Sequence, residues 1–135
     1  MVDASVSGAW FLADEATRYS EAALEATSDG EVWVPALWPL EMCNLLLGAQ
    51  RRRRIDDAKR RQLVARAQAL RLRVDREPVA ITALDALAAR HALSAYAAAY
   101  LELALRRRLP LATADKALLA AMRASGVDRA AFVAR

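Results

Sequence analysis

The chain has 135 residues, 56% of them apolar, and a formal net charge of +4. This length predicts one domain spanning residues 1–135, and the apolar content argues against disorder. No apolar run reaches the roughly 18 residues that a membrane helix needs, and no basic leader opens the sequence. We therefore expect a cytoplasmic protein with no membrane contact. The positive charge is compatible with a polyanionic partner such as nucleic acid.

The reactive side chains limit the possible chemistry. Cys43 is the only cysteine and His91 the only histidine. A structural zinc site needs about four nitrogen or sulfur ligands, so it is excluded. Catalysis by a Ser-His-Asp or Cys-His group would require His91, which lies near an apolar face of a predicted helix. If the protein is an enzyme, we expect its chemistry to depend on carboxylates.

Short apolar strands alternate with amphipathic helices along the chain. Strands are predicted in the segments MVDASV, EVWVP, LRVDREP and LPLAT, with a last short strand in AAFVA. Helical segments are predicted around GAWFLAD and at residues 17–26, 37–54, 56–71, 80–92, 95–107 and 114–124, with Thr17 and Ser94 as N-caps and Gly126 as a C-cap. This alternation predicts an α/β fold with a parallel sheet covered by helices on both faces.

Three acidic residues fall where the carboxyl ends of the predicted strands would meet. Asp3 ends the first strand, Glu41 lies in the first turn of the helix after the second, and Asp115 opens the helix after LPLAT. Ligands of open α/β sheets bind at this edge. Converging carboxylates repel each other unless a cation binds them, and oxygen ligands alone favour Mg²⁺ or Mn²⁺. The sequence therefore predicts a metal site formed by Asp3, Glu41 and Asp115.

Each acid also has a simpler explanation, because the helix dipole favours acidic side chains in a first helical turn. This alternative stays open for Glu41 and Asp115. Asp115, however, shares a helix face with Leu118 and Met122. We therefore expect its carboxylate to point towards the interior, where it would need a partner.

The stretch SAYAAAYLELAL, residues 94–105, raises a question at Ala97. This alanine lies in the first turn after the predicted Ser94 cap, at the head of an apolar stripe that continues through Tyr100 and Leu101. Two of the three acids occupy equivalent places at the start of other helices. An acid at residue 97 would complete a cluster of four carboxylates, and the chain has a methyl group there instead.

Three segments resemble a PIN domain: VDASV near the start, VPALWPLEMCNLL in the middle and LSAYAAAYLELALRRRLPLATADKAL near the end. More narrowly, they resemble the VapC ribonuclease toxins of bacterial toxin–antitoxin pairs, over nearly the whole chain and with the motifs in order. The resemblance implies a PIN-like three-layer sandwich with a parallel sheet of about five strands. It also implies an endoribonuclease that uses Mg²⁺ or Mn²⁺, forms a homodimer and is held inactive by a VapB-type antitoxin.

The resemblance assigns roles residue by residue. Asp3, Glu41 and Asp115 match the family acids that hold metal, and Thr113, which lies near Asp115 in the T-x-D segment, is a candidate substrate-binding residue. The fourth family acid stands in a Tyr-Asp-Ala-Ala-Tyr pattern, at the position where this chain has Ala97. We therefore expect an intact fold with weakened metal binding and much reduced turnover.

Two origins of Ala97 stay open. One is deliberate inactivation of a nuclease that kills its host, which the intact neighbouring motif favours. The other is natural loss in a copy that only binds its antitoxin. An alternative function is a non-catalytic module that binds an antitoxin or RNA. A nucleotide-binding α/β protein is disfavoured because the four glycines are scattered and form no phosphate loop.

The densest basic segment is RRRR at residues 51–54. Arg51 and Arg52 are predicted to contact the RNA backbone, which a steep salt dependence of binding would indicate. The alternative is a solvated helix end, because cations suit the C-terminal end of the helix dipole. Tyr96 and Tyr100, which bracket the Ala97 position, are interpreted as packing residues.

Overall fold

The computed structural model describes residues 1–132 and confirms an α/β fold with a parallel sheet. Three short 3₁₀ helices connect the first elements, at Gly8–Trp10, Ala13–Glu15 and Thr27–Asp29. The longer elements are α1 (Ala4–Ser7), α2 (Arg18–Ala26), β1 (Val32–Pro35), α3 (Trp38–Arg51), α4 (Asp57–Ala69), β2 (Leu72–Asp75), α5 (Ile81–His91), α6 (Ala95–Arg107) and α7 (Lys116–Ser125). Among the residues described, none of these helices is both long and apolar enough to span a bilayer.

The sheet is built around β1. β1 and β2 pair in parallel over their whole lengths, with Val34 opposite Val74. On the other side of β1, the Val2 N–H donates to the Trp33 carbonyl over 3.4 Å. Val2 also forms a parallel bridge with Ala112, so the first segment lies between β1 and the segment at Leu111 and Ala112.

Only β1 and β2 form strands in the part of the chain that the structure describes, so the expectation of about five strands is wrong. The segments at Val2, at Leu111 and Ala112, and at Arg129 pair through single bridges. The first segment is short because Asp3 already caps α1, so the chain turns helical at once. The predicted last strand, AAFVA, is replaced by the bridge at Arg129, and residues 133 and 134 lie outside the described part.

Capping side chains place several helices where the sequence predicts them. The Thr17 hydroxyl accepts the Ser20 N–H, and the Ser20 hydroxyl accepts the Thr17 N–H, which forms a capping box at the start of α2. The Ser94 hydroxyl caps α6 by accepting the Ala97 N–H over 3.1 Å. Gly126 ends α7 with a φ of 73°, in the left-handed region that suits glycine. These caps fix where each helix begins or ends relative to the sheet.

The core lies between the sheet and the helices packed on it. Val2, Val34 and Leu111 from the sheet are fully buried, as are Leu101 of α6 and Leu118 of α7. α6 packs against β1 and α7, while α3 packs against α4 and α1. Helices α1, α3 and α7 each begin shortly after a sheet segment ends, so their N-terminal turns meet at the carboxyl edge of the sheet.

Two arginines attach β2 to α6. Asp75, the last residue of β2, is buried and accepts hydrogen bonds from Arg106 at 2.7 Å and Arg107 at 2.9 Å. The hydrogen bond from Arg106 is the main reason why the pKa of Asp75 lies below its usual range. The Arg107 guanidinium also lies 3.7 Å from the centre of the Trp33 ring in β1. The edge strand is therefore held by charge as well as by its backbone pairing.

Candidate active site

Asp3 lies at the centre of a hydrogen-bond network at the carboxyl edge of the sheet. Asp3 is 5% exposed, and its side chain accepts the Val6 N–H over 3.1 Å as the N-cap of α1. The Ser5 hydroxyl donates to it over 2.6 Å, and the Thr113 hydroxyl donates to its second oxygen. Burial raises the pKa of Asp3, although these hydrogen bonds act in the opposite direction. The network therefore holds a poorly solvated carboxyl group in one orientation.

Glu41 is the second acid at this edge. It is half-buried in the first turn of α3, and its Oε1 accepts the Tyr100 hydroxyl of α6 over 2.6 Å. Burial raises the pKa of Glu41, the Tyr100 hydrogen bond lowers it, and the charge of Asp3 raises it further. The charge of Asp3 therefore acts on Glu41 at this edge of the sheet.

Thr113 connects Asp3 to Asp115. Thr113 is fully buried, and its hydroxyl accepts the Asp115 N–H over 3.0 Å while it donates to Asp3. The Asp115 carboxylate, however, is exposed and caps α7 by accepting the Leu118 N–H over 2.8 Å. The expectation that Asp115 points towards the interior is therefore wrong. Its position before the helix makes capping the preferred use of its side chain.

Ala97 is half-buried in the first turn of α6, and its N–H donates to the Ser94 hydroxyl over 3.1 Å. It precedes Tyr100 by three residues, so the two lie on neighbouring parts of one helix face. Because the Tyr100 hydroxyl reaches Glu41, a carboxylate at residue 97 would lie one helical turn from a side chain that contacts the acid pair. That residue 97 completes the site stays a prediction.

The structure places Arg51 and Arg52 away from these acids. Glu41 is in the first turn of α3, whereas Arg51 is its last residue and Arg52 its C-cap. Ten residues of helix correspond to about 15 Å along the axis. Both arginines are exposed. They are therefore free to contact a long polyanion, but they do not line the carboxylate site.

The comparison with known families is decisive for the class of protein. The family model described as PIN domain matches residues 1–123. The chain belongs to the PIN domain family. PIN domains are generally nucleases that depend on divalent metals, so the family supports a hydrolase acting on nucleic acid. A comparison with curated proteins finds no match.

The oxygen atoms of this PIN domain suit a hard divalent cation. The carboxylates of Asp3 and Glu41, with neighbouring hydroxyls, form the type of donor set that Mg²⁺ and Mn²⁺ prefer. The raised pKa of both acids is also expected of two partly desolvated carboxyls that a cation would stabilise in the charged form. Within residues 1–132, however, no group of three or more His, Cys, Asp or Glu residues is close enough to hold a metal ion. The oxygen donors at the site therefore fit a divalent cation, but the number of carboxylates that converge there is small.

Two side chains of the PIN domain site were not predicted from the sequence. Tyr100 was interpreted as a packing residue, yet its buried ring carries the hydroxyl that binds Glu41. Ser5 also bonds to Asp3, and its hydroxyl accepts the Ala114 N–H over 2.9 Å. The spacing of Ser5 two residues after Asp3 is typical of a local side-chain bond and could have identified it. The contact of Tyr100 with Glu41 joins residues 59 positions apart in the sequence, and no local pattern reveals such a contact.

Proposed function

We propose that this PIN domain is a metal-dependent endoribonuclease of the VapC type, with activity impaired by Ala97. The observation that carries the proposal is the placement of two partly desolvated carboxyl groups, Asp3 and Glu41, at the carboxyl edge of the sheet, each bound by hydroxyl donors. A nuclease of this class needs clustered carboxylates, and Ala97 lies one turn from the Tyr100 that binds Glu41. Replacing an acid at residue 97 removes both a ligand and a negative charge.

A bound Mg²⁺ or Mn²⁺ would polarise the phosphodiester and lower the pKa of a water molecule. The chain's own groups prepare the acids for such an ion. The hydroxyls of Ser5 and Thr113 orient the Asp3 carboxylate, and the Tyr100 hydroxyl orients Glu41. The Oδ1 atom of Asp115 is engaged with the Leu118 N–H, so a metal contact from this residue would use Oδ2. Asp3, Glu41 and Asp115 remain the proposed metal ligands.

The wider assignment follows the resemblance of the sequence to VapC toxins. We propose RNA as the substrate, a VapB-type antitoxin as the inhibitor, a homodimer as the assembly and the cytoplasm as the location. The expected architecture is the three-layer PIN arrangement, with helices on both sides of the sheet. Arg51 and Arg52 are proposed to contact RNA outside the carboxylate site, and Thr113 to act beside the scissile phosphate.

Restoring the acid tests the proposed function. Ala97→Asp is expected to produce cleavage of single-stranded RNA that requires Mg²⁺ and disappears with chelator, because it returns a carboxylate ligand to the site. Adding Asp3→Asn to the restored chain is expected to abolish this cleavage. The matched control is Ala95→Asp, which adds the same charge to an exposed position of the same helical turn. Equal activity of Ala97→Asp, Ala95→Asp and the parent chain would contradict the proposal.

A second candidate function is a non-catalytic module that binds an antitoxin or RNA. The observation that favours it is that, among residues 1–132, no group of three or more potential ligands converges. Calorimetric titration with Mn²⁺ separates the two functions. The nuclease predicts weak binding by the parent chain and tighter binding by Ala97→Asp, whereas the binding module predicts no Mn²⁺ binding by either.

A further inference from the structure

An open cleft of about 520 Å³ lies beside Glu41, between the N-terminal turns of α3 and α6. This volume is within the range of small-ligand sites, roughly 300 to 1,000 Å³. The cleft is mostly apolar, with a carboxylate and an amide among its walls. The residues that define it are Leu37, Leu40, Glu41, Asn44, Leu45 and Tyr96.

Two large apolar side chains on the cleft are unusually exposed. Tyr96 is 66% exposed and Leu40 is 69% exposed. Each lies in the first turn of its helix, so the two stand at the mouth of the cleft next to the carboxylate edge. Exposed apolar groups that cluster at a concave site are typical of surfaces that bind a ligand or a partner. Tyr96 therefore requires a role other than the packing predicted from the sequence.

We propose that this cleft binds one nucleobase of a single-stranded RNA substrate, with the Tyr96 ring as the stacking surface. The inference rests on the proposed nuclease function. Glu41 belongs both to the cleft and to the acid pair, so a nucleotide whose phosphate lies at Asp3 and Glu41 has its base within reach of the cleft. No other cleft offers this continuity with the acids among the pockets described.

The chemistry of the walls matches a base. A nucleobase has flat apolar faces and a hydrogen-bonding edge, and single-stranded RNA is recognised by stacking on aromatic side chains together with contacts to that edge. The Tyr96 ring and the side chains of Leu40 and Leu45 provide apolar surface. The exposed amide of Asn44 provides a donor and an acceptor for the base edge.

Binding of a short single-stranded RNA to variants of this chain tests the stacking surface. Tyr96→Ala is expected to weaken binding about tenfold, within the range observed when one stacked base loses its aromatic partner. Tyr96→Phe keeps the ring and is expected to bind as the parent does. Ile81→Ala is the control, because Ile81 is 82% exposed on α5 and lies outside the cleft. If Tyr96→Ala binds the RNA with the affinity of the parent chain, the proposal is overturned. That result is expected if the cleft binds a protein partner instead of RNA.

A second measurement locates the base. Single abasic sites are moved along the RNA, and the parent is expected to lose affinity most at one position. Tyr96→Ala is expected to be insensitive to loss of that base, because the two changes remove the same interaction. If Tyr96→Ala remains as sensitive as the parent at every position, the base is bound elsewhere and the proposal fails.

The outcomes also separate this proposal from the nuclease function. If Ala97→Asp cleaves RNA with Mg²⁺ while adding Tyr96→Ala changes neither KM nor affinity, only the base-binding cleft is wrong. If neither the parent nor Ala97→Asp binds or cleaves RNA, both proposals fail. A rise in KM on adding Tyr96→Ala, with cleavage still dependent on Mg²⁺, supports both.

Discussion

The hydrogen-bond partners of Asp3 and Glu41 are hydroxyl groups and a backbone N–H. Such neutral donors offset only part of the desolvation, so the pKa of each acid stays above its ordinary value. The folded state therefore binds these protons more tightly than the unfolded state does. Their contribution to stability falls as pH rises from about 4, the unfolded value, through the raised folded values. A pair of carboxyl groups desolvated in this way lowers the stability of the fold at neutral pH.

The pKa of Glu41 should respond in opposite directions to its two neighbours. Tyr100→Phe is expected to raise it, because the mutation removes a hydrogen bond that favours the carboxylate. Asp3→Asn is expected to lower it, because a nearby negative charge is removed. Carbon-13 NMR titration of the carboxyl resonances measures both shifts. Equal pKa values in the parent and Tyr100→Phe would show that Tyr100 only packs.

At the scale of helices and strands, the sequence predicted the features that depend on neighbouring residues. It did not predict those that depend on residues far apart in the chain. Thr17, Ser94 and Gly126 cap or end helices as predicted, because each acts through backbone groups a few residues away. The orientation of Asp115 was mispredicted, because its apolar helix face was given more weight than its capping position. Strand lengths were overestimated because pairing depends on segments far apart in sequence, such as Val2.

The ends of α5 and α7 allow a paired stability test. Gly126 has a φ of 73°, and a Cβ there would meet no atom within 4 Å, so Gly126→Ala is expected to cost about 1 kcal/mol through backbone strain alone. Ala92 ends α5 with a φ of 52°, so Ala92→Gly is expected to stabilise the protein by up to about 1 kcal/mol. Urea denaturation measures both changes. If the free energy of unfolding changes in the same direction in both variants, this account is contradicted.

Across the whole molecule, the basic turn at residues 51–54 and Glu41 of the acid pair lie at opposite ends of α3. The distance of about 15 Å along the helix corresponds to four or five stacked nucleotides. A charged contact at Arg51 and Arg52 would therefore bind a flanking part of the substrate. This contact would add affinity for RNA that depends little on the nucleotide sequence.

This separation predicts a dependence on RNA length. The double variant Arg51→Gln and Arg52→Gln is expected to reduce the salt dependence of binding to RNA of ten nucleotides, by about 0.7 in log K per log salt for each lost contact. Binding of a trinucleotide is expected to be unchanged. Fluorescence anisotropy across a salt series measures both. The control, Arg90→Gln with Arg123→Gln, removes two exposed arginines from other helices, and an equal effect there would indicate a dependence on net charge alone.

The bond between Asp3 and Thr113 joins residues 110 positions apart in the sequence. During synthesis, the first of these residues leaves the ribosome long before the second. Because the Asp3 carboxylate is oriented only after the segment around Thr113 has docked beside Val2, a partly translated chain has no assembled centre. The proposed nuclease would on this basis become competent only after the segment around Thr113 has been synthesised and has docked beside Val2.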